Sequence, residues 1–295
     1  MKTMNTRIKP ALRSLAWTVL LALGAQLNAQ AAPATVTALS SSESERLVVL
    51  GTAIGELVYA FDRGDSIVAR DLSCEFPSEI QAKPAVGYYR QIAAEGVLAV
   101  QPSAILSTEA AGPPTAMKQL KASGLPVHTF SATADIGSLR SNIAKMGQVL
   151  DDAERAKQLL EQLDADLAGI PEAPEASASV LFLLSPPGSD RLLAAGAGTA
   201  ADKMIHLAGG TNAFADLSGY QPIASELIAA RRPSIVLLPS ADSVASDEST
   251  VGHTAIDRLV TRGESRIVRI DLAETLAFGI RTGSAAARLH QAFYP

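Results

Sequence analysis

A segment that occurs twice constrains the fold of this chain more than any other feature. Residues 87–106 and 219–237 align with a gap of one residue, and both read Gly-Tyr, then Glu, then Pro-Ser and an apolar run. The glutamate is Glu95 in the first copy and Glu226 in the second. Each copy predicts a loop, a short helix that carries the glutamate, and a buried strand. A unit repeated in both halves predicts two similar lobes, with a cleft between them where a small ligand binds.

The N-terminus predicts export from the cytoplasm. Residues 1–13 contain four basic residues and no acid, Leu15–Leu23 is apolar, and Ala29-Gln30-Ala31 fits a small-x-small cleavage site. This order is typical of a secretory signal peptide, and the apolar run is shorter than a membrane span needs. We predict a signal peptide over 1–31, a disordered leader over 32–45 and a location in a bacterial periplasm. An uncleaved N-terminal anchor is the alternative.

Charge and cysteine content narrow the class of protein. Without residues 1–31 the chain has 21 basic and 30 acidic residues, so it is more acidic than the full-length net charge of −5. An acidic exported protein binds nucleic acid or an anionic membrane poorly, and we expect no nucleic-acid partner. The single cysteine, Cys74, cannot form an internal disulfide and is interpreted as a structural residue.

Alternating apolar segments predict two α/β lobes. Residues 46–135 form the N-terminal lobe with a largely parallel sheet, and residues 170–295 form the C-terminal lobe. Between them, apolar residues recur at helical spacing over 136–169 without a proline. This segment predicts one long rigid helix of roughly 45–50 Å that joins two Rossmann-like lobes. A long helix packed along a single domain is the alternative.

The chain contains no motif typical of an enzyme. It lacks a nucleophile elbow, a phosphate-binding loop, a Cys-x-x-Cys pair and a His-Glu-x-x-His segment. Residues 196–201 fit a loose dinucleotide-binding pattern, but they do not directly follow a predicted strand, so we interpret them as a turn that begins a helix. The four histidines are scattered without the spacing of zinc ligands. We therefore predict a binding protein rather than an enzyme.

Several motifs resemble one family of exported receptors. They are Pro84–Gln91, Glu109–Pro114, Ala195–Asp202 and Phe278–Thr282. The chain resembles the class III, helix-hinged periplasmic binding proteins, and specifically the haem receptors of bacterial haem ABC importers. The resemblance covers residues 46–294. It implies a monomer that carries haem to an inner-membrane ABC permease, with a ferric siderophore or cobalamin as the alternative ligand of the same fold.

The resemblance assigns the axial ligand of haem iron to Tyr88, in the Gly-Tyr motif. Phenolate oxygen is a hard anionic donor that suits ferric iron. The resemblance also gives Arg90 a hydrogen bond to that phenolate. The tyrosine at position 89 departs from the family pattern, in which this position is not usually aromatic. Either Tyr88 or Tyr89 is therefore a candidate ligand. Because adjacent side chains of an extended segment point to opposite faces, we expect only one to enter the cleft. We assign Tyr88 to the cleft and Tyr89 to the outside or the rim.

Further roles follow from the resemblance and the repeat. Some family members have a histidine near the end of the first strand of the second lobe, where residues 184–188 here read Leu-Ser-Pro-Pro-Gly. We therefore expect five-coordinate haem with Tyr88 as its only protein ligand. The family docks onto arginines of the permease through one glutamate per lobe, which implies this role for Glu95 and Glu226. Arg281 and Tyr220 are candidates for additional contacts with haem.

Overall fold

Two separate β-sheets, each with helices packed against it, form the framework of this protein. The computed structural model describes residues 45–185, 192–240 and 254–295. These residues belong to one unit of the chain, residues 36–295. The predicted α/β class with two sheets is confirmed. The predicted signal peptide and residues 32–44 of the predicted leader lie outside the described residues.

The first lobe contains a four-stranded parallel sheet in the order β2-β1-β3-β4. Helix α1 packs on one face of this sheet, and α2 and α3 pack on the other. The strands are apolar on both sides because both faces are covered. The elements are β1 (Leu47–Leu50), α1 (Thr52–Ala60), β2 (Ile67–Arg70), α2 (Ala94–Ala99), β3 (Ala104–Thr108), α3 (Pro114–Ala122) and β4 (Val127–Phe130).

The segment predicted as one long helix is two helices, α4 (Ile136–Val149) and α5 (Ala153–Ala168). Asp151 breaks the helix with a φ of 52°, and the carboxylate of Asp152 caps α5 by accepting from the backbone of Arg155. The two helices pack side by side. They approach so closely that a Cβ on Gly147 would lie 2.6 Å from the Cβ of Ala156. The prediction of a continuous helix over 136–169 is therefore wrong.

The spacing of apolar residues did not predict the break between α4 and α5, for a physical reason. Both helices bury their apolar faces in the same core of the first lobe, so the spacing of apolar residues continues through the turn. Helix α5 then approaches the second lobe, where a Cβ on Gly283 would lie 2.6 Å from the Cβ of Asp166. A helical link between the lobes is thus retained, and α5 provides it.

The second lobe contains a mixed sheet in the order β10-β9-β5-β6-β8, and β7 also pairs with β5. Strands β5, β7, β9 and β10 are parallel, while β6 and β8 are antiparallel to their neighbours. The elements are β5 (Ser179–Leu184), β6 (Leu193–Ala195), α6 (Ala200–Leu207), β7 (Thr211–Asn212), β8 (Tyr220–Pro222), α7 (Ser225–Arg231), β9 (Ile235–Pro239), α8 (Thr254–Thr261), β10 (Arg266–Ile270), α9 (Leu272–Leu276) and α10 (Thr282–Phe293). No described helix is long and apolar enough to cross a membrane.

The repeat is visible in the backbone of both lobes. Gly87 and Gly219 both have positive φ, at 103° and 68°. The first copy continues through α2 into β3, and the second continues through α7 into β9, as predicted. The copies differ after the glycine, because residues 89–91 form a 3-10 turn whereas residues 220–222 form strand β8. The repeat is therefore confirmed as loop, short helix and buried strand.

Candidate functional site

A cavity of about 240 Å³ lies between the two lobes. The first lobe lines it with the start of α1, the 3-10 turn at Tyr89 and Arg90, and residues that follow β3 and β4. The second lobe contributes Ala200, at the start of α6, and residues 276–278 at the end of α9. Ligands of parallel α/β sheets bind beyond the carboxyl ends of the strands, and the first lobe lines this cavity from that edge of its sheet.

A buried carboxylate fixes the start of α1 at the cavity wall. Asp71 is fully buried and accepts from the backbone N–H of Gly51 at 2.5 Å. It also accepts from the backbone N–H of Ser73 at 2.8 Å and from the thiol of Cys74 at 3.1 Å. Gly51 has a φ of 120°, which favours glycine, and a Cβ there would lie 3.0 Å from Thr108. Burial raises the pKa of Cys74, which keeps the thiol protonated and supports its interpretation as a structural residue.

Tyr88, Tyr89 and Arg90 form a single cluster. The rings of Tyr88 and Tyr89 meet edge to face with centroids 4.7 Å apart. Arg90 donates from Nε to the Tyr89 hydroxyl at 2.9 Å, and its guanidinium lies 5.4 Å from the centre of that ring. Only Tyr88 is extended, because the 3-10 turn begins at Tyr89, so the two side chains do not point to opposite faces. The expected alternation is therefore wrong.

The two tyrosines have different surroundings. Tyr89 lines the cavity, whereas Tyr88 is not among its lining residues and is 41% exposed. Burial, followed by the hydrogen bond with Tyr89, raises the pKa of Tyr88, and the positive charge of Arg90 opposes that rise. A tyrosine with a raised pKa is a neutral phenol at neutral pH, so it becomes an anionic donor only when a cation takes the place of its proton.

Two further large apolar side chains of the first lobe are exposed, and the backbone of one of them adjoins this cluster. Leu72 and Phe76 are 53% and 43% exposed, and the backbone N–H of Leu72 donates to the carbonyl of Gly87 at 2.9 Å. Exposed large apolar side chains are typical of a binding surface. Leu72, Phe76 and Tyr88 are termed the apolar rim below.

Tyr220 lies on the edge strand β8 of the second sheet. Its ring contacts that of Phe182, with centroids 6.3 Å apart. Burial raises its pKa, and a hydrogen bond with the backbone of Ala201 opposes the rise. Ala201 directly follows Ala200 of the cavity lining. Tyr220 is therefore close to the cavity wall without being one of its lining residues.

The glycine-containing turn before α6 is structural, as predicted. Asp202 accepts from the backbone of Gly198 at 3.0 Å and from the side chain of Asn212 at 2.9 Å. Thr199 caps α6 by accepting from the backbone N–H of Asp202. Asn212 also donates to the carbonyl of Ala195, which joins the turn to β6. These hydrogen bonds satisfy the polar groups of the turn within the second lobe.

Arg281 makes a charged contact between the lobes. Its guanidinium donates to the carboxylate of Glu56 in α1 at 2.6 Å and lies 3.6 Å from Glu274 in α9. The same guanidinium is 3.9 Å from the centre of the Phe76 ring. The side chain of Glu56 is only 1% exposed, and burial raises its pKa although Arg281 acts in the opposite direction. Sequence analysis did not identify Glu56.

Glu95 and Glu226 occupy matching positions in the two lobes. Each is exposed in the first turn of its helix, α2 or α7. The residue before each helix, Ala93 or Ala224, is extended. The structure therefore presents one solvent-exposed carboxylate from each copy of the repeat.

Within the described residues, no group of three or more His, Cys, Asp or Glu side chains is placed to hold a metal ion. Some family members have a histidine in the segment that corresponds to residues 184–188, and residues 186–188 of this segment lie outside the described residues. Residues 47–256 match the model of the periplasmic binding protein family. This chain belongs to the periplasmic binding protein family. The family consists of substrate-binding transport proteins of the periplasm.

Similar members of the family have been solved or characterised. The periplasmic haem-binding protein BhuT, in complex with two haems, is 32% identical with a TM-score of 0.77, over 84% of this chain and 97% of that one. The apo haem-binding protein RhuT of Roseiflexus sp. RS-1 is 31% identical with a TM-score of 0.78, over 85% and 98%. A vitamin B12-binding protein of Yersinia pestis is 26% identical, over 72% of this chain and 75% of that protein.

Proposed function

We propose that this protein binds ferric haem in the cleft between its lobes and delivers it, as a monomer, to an inner-membrane ABC permease. The observation that carries the proposal is the cluster of Tyr88, Tyr89 and Arg90 at the cleft. The similarity to the haem-binding proteins BhuT and RhuT, over more than four fifths of this chain, supports the same ligand.

We propose Tyr88 as the axial ligand of the haem iron. Its place in the Gly-Tyr-x-Arg motif supports this role, and its exposed ring is accessible to a large ligand. Ferric iron replaces the phenolic proton and supplies most of the energy needed to ionise a tyrosine with a raised pKa. Tyr89 is the second candidate, because it lines the cavity and accepts the hydrogen bond from Arg90.

The size of the cavity supports a proposal for how haem is accommodated. Sites for ligands of drug size have volumes of roughly 300–1,000 Å³, and the cavity here, which is partly open to solvent, is about 240 Å³. We propose that one part of the macrocycle occupies this cavity while the rest extends over the apolar rim. Contact with Leu72, Phe76 and Tyr88 would cover apolar surface on both the haem and the protein.

Arg90 is the best-placed cation for a haem propionate or for the phenolate ligand. It lines the cavity and its side chain is exposed, whereas Arg281 is paired with Glu56 and Glu274. The first residues of α1 also line the cavity, and the N-terminus of a helix favours a carboxylate. We therefore propose Arg90 as the main charged contact. Tyr220 and Arg281 are secondary candidates, next to the cavity wall and between the lobes.

The similarity to the vitamin B12-binding protein makes cobalamin the second candidate ligand, and a ferric siderophore would use the same fold. Both bring their own donors to the metal, so neither needs the tyrosine pair. Purification distinguishes the ligands. Protein produced with excess haem is expected to be red-brown with a Soret band. Protein that stays colourless with added ferric haem would contradict the proposal.

We propose that Glu95 and Glu226 dock the receptor onto the permease. Exchange of both for lysine is expected to abolish haem import and leave haem binding unchanged, because each reversed charge would face an arginine of the permease. Uptake by membrane vesicles that contain the permease measures the first effect, and a haem titration measures the second. A matched control exchanges Glu154 and Glu161, on exposed positions of α5. Undiminished uptake by the Glu95→Lys, Glu226→Lys variant would contradict the docking role.

A further inference from the structure

A charged groove of about 630 Å³ lies on the second lobe between α7 and α8. Glu226 lies in this groove together with Arg232, Arg258 and Arg262. The three arginines are exposed. The groove thus surrounds the proposed docking glutamate with positive charge on a protein whose net charge is −5.

The arginines of the groove are unequally neutralised. Arg232 forms an ion pair with Glu264, with a nitrogen–oxygen distance of 2.7 Å. Arg258 and Arg262 make no ion pair with any residue in the described ranges. These two arginines are one helical turn apart along the chain, just within and just after α8. Among the described residues they provide two exposed positive charges without an ion-pair partner, although the charge of Arg262 also acts on Glu264.

The first lobe has a corresponding pair of adjoining helices. Helix α2, which carries Glu95, packs beside α3, just as α7 packs beside α8. Helix α3 exposes Lys118 and Lys121, which are also one turn apart. In both lobes, therefore, the helix with the docking glutamate adjoins a second helix with a pair of basic residues. The correspondence follows the sequence repeat, because α3 and α8 each come after the buried strand of the repeat.

We infer that this groove receives an acidic side chain of the permease, next to the permease arginine that binds Glu226. The inference rests on the proposed function. An arginine that approaches Glu226 also approaches Arg258 and Arg262, which repel it. A partner surface that presents a carboxylate beside its arginine removes this repulsion and adds attraction. Each lobe then recognises a pair of opposite charges in a fixed order, which specifies partner and orientation more narrowly than a single glutamate does.

Charge reversal of Arg258 and Arg262 tests the inference. The variant Arg258→Glu, Arg262→Glu in the otherwise intact protein is expected to bind the permease, reconstituted in nanodiscs, more than about tenfold more weakly. Haem affinity, measured by absorption titration, is expected to stay unchanged. The control Arg140→Glu, Lys157→Glu carries the same change of charge on α4 and α5, at a half-buried arginine and an exposed lysine that each form an ion pair. It is expected to bind the permease like the wild-type protein.

The outcomes separate this inference from the proposed function. Unchanged permease binding by the groove variant, or an equal loss in the control, would overturn the inference while haem binding stands. Wild-type protein that binds protein-free vesicles of anionic phospholipid through the same arginines would assign the groove to lipid phosphate instead, and would also overturn it. Recovery of binding when a permease acid is changed to lysine would support it directly. A wild-type protein that binds no haem contradicts the proposed function alone.

Discussion

Replacement of Tyr88 by phenylalanine is expected to weaken the binding of ferric haem by more than about 100-fold, the upper limit of the usual loss for a residue that only supports a metal ligand. The variant keeps the ring and its edge-to-face contact with Tyr89. It loses the hydroxyl that we propose as the iron ligand, together with the hydrogen bond of that hydroxyl to Tyr89. The absorption spectrum is expected to lose its tyrosinate-type, high-spin character at the same time. A fluorescence or absorption titration measures the affinity.

Tyr89→Phe is the matched variant, because the two rings are adjacent and differ in exposure. It is expected to reduce affinity less, by removing the acceptor for Arg90. Tyr59→Phe, in α1 of the first lobe and outside the cavity lining, serves as the control for loss of a hydroxyl. A spectrum that survives in Tyr88→Phe and is lost in Tyr89→Phe would move the ligand to Tyr89. Retention of tyrosinate character in both single variants and in the double variant would contradict ligation by Tyr88 or Tyr89 and assign the iron to another tyrosine.

Replacement of Arg281 by methionine is expected to lower the free energy of unfolding by about 3–5 kcal/mol, because it leaves a buried carboxylate without its partner. Glu56 is almost inaccessible to solvent, and Arg281 is its only ion-pair partner among the described residues. Glu56→Met is expected to cost less, since Arg281 keeps its contact with Glu274. Chemical denaturation of the three variants, including the double exchange, measures the coupling between the two residues.

The double variant is expected to be more stable than Arg281→Met alone. Burial raises the pKa of Glu56 even with Arg281 present, so desolvation outweighs attraction in this pair and two apolar side chains avoid that cost. Arg288→Met is the control, because this exposed arginine also pairs with Glu274 and its loss is expected to cost less than about 1 kcal/mol. Equal stability of Arg281→Met and the wild-type protein would contradict a buried interlobe ion pair.

The difference in the free energy of unfolding between Arg281→Met and the wild-type protein is expected to depend on pH. A carboxyl group whose pKa is raised by folding binds more protons in the native state than in the unfolded state. Its contribution to stability is therefore fully present below the ordinary pKa of 4.5 and is lost as pH rises through the raised value. The variant is expected to approach wild-type stability in acid and to fall behind it towards neutral pH. A stability difference that is constant across this pH range would contradict the assignment of the pH dependence to Glu56.

The repeat was sufficient to predict much of the fold. It predicted two lobes, and the helices with Glu95 and Glu226 lie where it places them. It could not predict the antiparallel strands β6 and β8, which are only three residues long and carry too few residues for an alternating pattern. The turn at Asp151 was hidden because α4 and α5 share one core, although the adjacent Asp152 is a recognisable helix cap.

The residues of the candidate site could be proposed from the sequence, whereas their arrangement in space could not. The Gly-Tyr-x-Arg motif identified the tyrosines and Arg90, but the 3-10 turn that brings Tyr89 into the cavity wall has no clear signal in so short a segment. The pairing of Glu56 with Arg281 joins residues 225 positions apart, so no local spacing reveals it. An acidic residue in the middle of the apolar helix α1 was the one available signal that Glu56 has a buried partner.

The most direct test of the proposed function is an absorption titration of the mature protein with ferric haem, beside a parallel titration with cyanocobalamin. We predict a saturable shift of the Soret band with the features of tyrosinate-ligated, high-spin iron, and no saturable binding of cyanocobalamin. Saturable binding of cyanocobalamin without a Soret shift would contradict haem as the ligand and assign this receptor to cobalamin.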